Sequence, residues 1–308
     1  MTNTTKVREF LLLGSSEVRE LRLAQAALFL PVYLAALTGN LLVVAVTLLD
    51  RRLRAPMYFF LGHLSVLDLC LVSVTVPQSV HNSLVNGRAI SLRGCVAQVF
   101  SVISIAASEL SILTAMSHDR YAAVCRPLRY GAIVDRGACG KMAAASWLGG
   151  GLFGAMYTAG TVTLSFCGSN LIQQFLCDVP SSLKISCSET HVVIAVSEAT
   201  AFSLAFVAFV FIVVSYARIF GAVLRMPAAE GRAGAFSTCL PRLAGVTLFV
   251  ANAAFVYLKP LSDPPSAQDL LVSVFYAAVP PALNPVIYSL RNRDMKTTLR
   301  RMIAGKCL

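Results

Sequence analysis

The amino-acid sequence predicts an all-α membrane protein, a bundle of seven transmembrane helices, on three observations. Hydrophobic residues make up 56% of the chain and charged ones 13%, and the mean hydropathy is +0.71; that is too apolar for a soluble domain. Seven separate stretches each reach the roughly 20 apolar residues that cross about 30 Å of hydrocarbon. Lys and Arg punctuate these stretches unequally on alternate sides. The spans use most of the 308 residues, so one domain is expected: a tail at 1–22, a bundle at 23–290 and a second tail at 291–308. The net charge of +11 does not point to nucleic acid, because the basic residues interrupt apolar runs instead of sharing a wet face with aromatics.

The first span, Leu23 to Leu49, carries no charge. Met57 to His81 follows, interrupted by His63 and Asp68, and then Cys95 to Cys125 with Glu109 inside it. The fourth runs from Cys139 to Phe166 with Lys141 at its edge and the one tryptophan, Trp147. Val192 to Phe220 is the fifth and contains Glu198; Phe236 to Leu258 is the sixth, with Arg242 near its start. The seventh, Leu270 to Leu290, is uncharged but holds Pro280, Pro281 and Pro285. Prolines there free backbone carbonyls that must find partners inside the protein, either as a hinge or as a plain kink.

Segments 50–56, 119–141, 217–242 and the tail from 291 carry 18 of the 26 Lys and Arg. By the positive-inside rule they are cytoplasmic and the N-terminus is outside. Residues 1–22 hold only the short apolar run Phe10 to Leu13, below the length of a signal-peptide core, so the first span is expected to serve as the targeting signal. Asn3 opens the sequon Asn3-Thr4-Thr5, a glycosylation acceptor on the predicted outer tail. Cys95, Cys167, Cys177 and Cys187 also fall on the outer side, where disulfides persist. Four cysteines allow three pairings, and spacing does not choose among them. After the seventh span, Met295, Leu299, Met302 and Ile303 alternate with Arg293, Lys296, Arg300 and Arg301, the pattern of an amphipathic helix lying on an anionic leaflet or of a solvated basic tail.

Polar residues inside the spans are the functional candidates, since a charge in hydrocarbon is costly and usually faces the bundle interior. Asp119 and Arg120 stand together at the end of the third span and read as an interfacial switch. Asp68 and Glu109 lie deepest. They can share a proton, hold a small hard cation weakly through oxygen ligands, or be neutral carboxyls bonded to Asn40 or Asn284. A cation path through Asp68, Glu109 and Glu198 needs polar residues on successive turns, and the seventh span supplies few. His63, His81, His118 and His191 show no metal-ligand spacing, and no phosphate loop or nucleophile elbow occurs. No enzyme, cofactor or metal site is expected.

These residues closely resemble one family, the odorant receptors within the rhodopsin-like G-protein-coupled receptors, and the match covers nearly the whole chain. It is carried by Gly39-Asn40, by PMYFFLGHLSVLDLC from Pro56 to Cys70, and by MSHDRYAAVCRPLRY from Met116 to Tyr130. Ser215-Tyr216, AFSTCLP from Ala235 to Pro241 and PALNPVIYSLRN from Pro281 to Asn292 complete it. PMYFFL, the DRY segment with its CxPLxY extension and FSTC are specific in combination. Within the family the chain is most similar to the family-fourteen branch.

The resemblance implies roles that spacing does not. Cys95 pairs with Cys177, and Cys167 with Cys187. Asp119 and Arg120 hold the cytoplasmic end closed until agonist binds; Tyr216, Ser237, Thr238 and Cys239 belong to the same coupling surface. Asn284, Pro285 and Tyr288 form the hinge of the seventh helix, and Asp68 with Glu109 the internal polar site. The ligand is a small volatile odorant, in an apolar pocket lined by Val102, Ile103, Ala106, Ser197, Ala201, Phe202, Val250, Ala254, Tyr257 and Val274. The partner is a heterotrimeric G protein of the stimulatory, olfactory type, raising cyclic AMP from the plasma membrane. Val102 replaces the aspartate with which amine receptors hold a cation, and the absence of lysine from the seventh span excludes a retinal Schiff base. Four departures bear on coupling: His118 stands in place of tyrosine before DRY, Gly234 in place of lysine, Arg242 in place of histidine, and Val250 in place of an aromatic.

Overall fold

The computed structural model describes residues 9–12, 19–50, 55–85, 89–162, 171–172, 177, 192–225, 239–240, 243, 245–247, 278–287 and 295–298, and every structural statement below concerns these. Five long helices occupy the first five predicted spans: α1 Arg19–Leu49, α2 Pro56–Val85, α3 Leu92–Cys125, α4 Arg136–Val162 and α5 Val192–Leu224. Residues 239–240, 243 and 245–247 in the sixth and Ala278–Ile287 in the seventh are also helical. Each of the seven apolar stretches therefore contributes helix. Four segments, Arg22–Leu49, Pro56–Val85, Leu92–Cys125 and Ala195–Leu224, are long and apolar enough to cross a membrane by length and composition.

Helix boundaries follow local chemistry that hydropathy does not see. Pro56 opens α2 at the first helical position, where its missing N–H costs nothing. Ser91 caps α3 by accepting from the Gly94 N–H at 3.1 Å, and Asp135 Oδ1 takes the Ala138 N–H at 2.6 Å at the start of α4; both are preferred N-cap residues. Pro127 stops α3, since the residue before a proline is pushed out of the helical region. Arg126 accordingly sits at φ −136°, ψ 52°. A 3-10 turn, Pro127–Arg129, and a one-turn helix, Tyr130–Ile133, then bring the chain back beneath α3.

The helix α3 is the hub, packing against α2, α4 and α5, while α1 lies along α2. The main core runs through Val46, Phe60, Leu64, Ile112, Met116, Ile212 and Ile219. Apolar burial alone does not hold helices together in lipid, which is as apolar as leucine; close approach of small residues and interhelical hydrogen bonds do. Both occur where α3 meets α4. A Cβ on Gly150 would overlap Ser108 Oγ and come within 2.6 Å of the Ser104 carbonyl oxygen, and one on Gly154 would overlap Ser104 Oγ. In the space left by the glycines, Ser108 Oγ shares its one hydrogen between Ser104 O of its own helix at 2.8 Å and Ser146 O across the crossing at 3.2 Å.

A feature of the N-terminal tail lies outside the sequence-based reading. Glu9–Leu12 forms β1, the middle strand of a three-stranded sheet, antiparallel to β2 (Ala89–Ser91) and parallel to β3 (Leu171–Ile172). The register pairs Glu9 with Ser91 and Leu11 with both Ala89 and Leu171. The tail is thereby sewn to the loops on either side of α3 and α4, at the Cys95 end of the bundle.

Overpacking predicts the first variant. Gly150→Ala should lower the thermal stability of the purified protein by about 1–3 kcal/mol, whereas Gly151→Ala, with nothing within 4 Å of its Cβ position, should leave the melting temperature unchanged.

Candidate functional site

Three polar clusters lie along α3 and its neighbours. At the far end of α3, Asp119 is completely buried, where a bare carboxylate is expensive. It is met from two sides. Arg120 Nη2 lies 3.0 Å and Nε 3.1 Å from Asp119 Oδ2, and Tyr130 OH donates to Oδ1 at 2.7 Å. The return of the chain after Pro127 is what delivers Tyr130. Burial first, then the bond to Asp119, raises the phenol above the ordinary tyrosine range. Tyr130 therefore stays protonated and donates throughout the physiological pH range. Tyr216 and Cys239 are buried in the main core, and His118 stacks on Phe211 with ring centroids 6.4 Å apart.

Midway along the bundle, Asn284 Nδ2 donates to both oxygens of the buried Asp68, at 3.2 and 3.0 Å. Glu109 is also buried. Immediately after Asn284, Pro285 has no N–H to offer the carbonyl of Pro281, four residues back. Asn40 Nδ2 supplies the missing donor at 2.9 Å and also bonds the Ala36 carbonyl at 2.9 Å in its own helix. Gly39 makes room for this: its Cβ position lies 3.1 Å from the Pro285 ring. The motif residues Gly39-Asn40 and Asn284-Pro285 are thus two halves of one contact.

At the other end of α3, Cys95 and Cys177 form a disulfide, with Cα atoms 5.3 Å apart. Gln98, one turn further along α3, accepts the Cys177 N–H at 3.0 Å and reaches the Val74 carbonyl of α2 at 3.4 Å. Cys177 is therefore tied to α3 by a hydrogen bond as well as through sulfur, and Gln98 links that point to α2.

Of the expected ligand contacts, Val102, Ile103 and Ala106 are half-buried along α3, Ser197 is buried and Ala201 half-buried on α5. Phe202 is 73% exposed and stacks on the equally outward Phe206, which departs from the inward placement expected of it. Val250, Ala254, Tyr257 and Val274 lie outside the described residues, as do Asn3, Cys167, Cys187, Gly234, Ser237, Thr238, Arg242 and Tyr288. His63 proves a packed histidine, its Nδ1 accepting from Trp147 Nε1 at 3.1 Å. Glu198 receives the hydroxyl of Tyr157 from α4. Among the described residues no group of three metal-ligating side chains comes together.

Sequence reasoning missed Tyr130 and Gln98. Tyr130 stands within the CRPLRY segment, but no periodicity links it to Asp119, because a turn and not a helix separates them. Gln98 shares the face of Cys95 at helical spacing, a signal visible only once the disulfide partner is known.

A bundle with a loop stapled to one end of α3 and a buried acid paired with arginine at the opposite end of the same helix is that of a G-protein-coupled receptor. The chain belongs to the olfactory receptor family, whose sequence profile matches residues 29–306. It is 51% identical to human olfactory receptor 14J1 over 99% of this chain and 95% of that protein. It is 50% identical to human olfactory receptor 14A2, over 98% and 96% respectively. Human olfactory receptor 10C1 is 42% identical over the same shares of the two chains. The family-fourteen resemblance agrees with these relatives.

The carbonyl left by Pro285 generates a paired prediction. Asn40→Leu should destabilise the purified receptor by about 1–3 kcal/mol, the cost of an unmet buried acceptor. Adding Pro285→Ala should recover part of that loss in a thermal melt, because the new backbone N–H can reach the Pro281 carbonyl.

Proposed function

We propose that this chain binds small volatile organic molecules and, when occupied, activates a stimulatory olfactory G protein to raise cyclic AMP. The observation that carries the reading is Asp119, buried and held by both Arg120 and Tyr130. A guanidinium paired to a neighbouring carboxylate is withheld from any other partner, and breaking the pair frees it. Family membership supports the same reading. The Asp119 end faces the cytoplasm, in keeping with the Lys and Arg distribution, so that the Cys95 end and the N-terminal tail with Asn3 face outward at the plasma membrane.

The ligand occupies the space between α3, α5 and the sixth and seventh helices, beneath the loop tethered by Cys177. Val102, Ile103, Ala106 and Ala201 shape it, and Ser197 offers a hydrogen bond. No carboxylate stands at Val102, which favours neutral ligands over amines. Binding works by population shift: an odorant that fits the released arrangement better moves the equilibrium by its difference in affinity.

Cells displaying the receptor should respond to members of a broad volatile panel with cyclic AMP; silence across the panel, despite verified surface display, would refute the assignment. Tyr130→Phe removes one of the two groups holding Asp119, so odorant-free cyclic AMP should rise severalfold at matched expression. Arg120→Ala should abolish the odorant response.

A further inference from the structure

Among the described residues, the seventh-span helix and the residues after it are tied to α1 and α2 through three side-chain contacts. Two of them, Asn40 to Pro281 and Asn284 to Asp68, belong to the site above. The third does not. Thr298 Oγ1 donates to Asp50 Oδ2 at 2.6 Å, and the two residues, 248 apart in sequence, are 4% and 8% exposed. Asp50 directly follows α1, and its own N–H closes on the Val46 carbonyl at 3.1 Å. Its place is therefore set by the helix.

Residues 295–298 are helical, with Met295 and Thr298 buried and Lys296 and Thr297 exposed. A spacing of three puts Met295 and Thr298 on one face, and Met295 is buried in the main core. The sequence pattern expected Met295 to face lipid, and here it enters the protein instead. Methionine is adaptable and fills whatever gap is offered; a hydrogen bond to a fixed carboxylate is directional. The Thr298 bond therefore fixes the rotation of this helix, and with it the direction in which Lys296 projects.

We infer that Asp50 and Thr298 are positioning residues for G-protein coupling, seating the helix after the seventh span on the end of α1 so that its exposed Lys296 face is held ready for the partner. The inference rests on the coupling proposed above. A contact surface already in place spares the partner the ordering cost of fixing it. Losing a hydrogen bond to a charged group corresponds to roughly a tenfold or larger change in the ratio of seated to unseated helix.

The test uses the full-length receptor in nanodiscs without odorant. Amide hydrogen exchange is measured over 295–298, and affinity is measured for a purified, nucleotide-free stimulatory heterotrimer. Thr298→Val keeps the shape and removes the hydroxyl; exchange should quicken about tenfold and heterotrimer affinity should weaken. Thr298→Ser keeps the donor and should match the wild type in both. The inference is overturned if Thr298→Val exchanges like the wild type, if serine fails to rescue, or if exchange quickens with affinity unchanged. A wild-type receptor that binds no heterotrimer overturns the coupling itself, and is told apart by the exchange measurement, which needs neither odorant nor G protein.

Discussion

Hydrocarbon offers no hydrogen bonds, so each polar group inside the bundle has to be met by another part of the chain. Most of the tertiary contacts described here answer to that constraint. Pro285 removes a backbone donor, and Asn40 on α1 replaces it. Asp119 is taken from water entirely, and both an adjacent guanidinium and a distant phenol are brought to it. Trp147 and His63 close each other's needs between α4 and α2, as Tyr157 and Glu198 do between α4 and α5. Each such bond is directional, so helices that would slide freely on apolar contact alone are held in register.

The same constraint makes the bundle suited to switching. A buried polar pair cannot be half broken without leaving an orphan that costs about 1–3 kcal/mol, so intermediate arrangements are penalised and two discrete ones are favoured. The helix α3 spans both ends of this device. Cys95 and Gln98 fix one end to the loop bearing Cys177, and Asp119 with Arg120 occupies the other. The seventh helix and the helix after it are fastened to α1 and α2 by Asn40, Asp68 and Asp50. The motif residues of the family are the joints of this frame.

The spans were legible because hydrophobic length in a membrane is a local property of the sequence. Their ends were less so. The helix α1 begins at Arg19 and carries Glu20 and Arg22, charged residues that a hydropathy reading leaves in the tail although they keep helical geometry beyond the hydrocarbon. Capping by Ser91 likewise starts α3 at Leu92, a turn before Cys95. The strand Glu9–Leu12 escaped notice because its partners lie at 89–91 and 171–172, and one charged and three apolar residues say nothing about a sheet assembled from three distant segments. The pairing of Cys95 with Cys177 was implied by family resemblance, whereas spacing left three possibilities.

Composition, span count and the placement of Lys and Arg were determined by the sequence alone, together with the motifs that mark the family, because each depends on residues near one another in the chain. Which polar groups meet was decided only by the tertiary structure. Asn40 and Pro281, Asp119 and Tyr130, and Asp50 and Thr298 are brought together by helix packing and by the turn after Pro127. A one-residue rotation of any helix would separate such a pair while leaving its hydropathy unchanged.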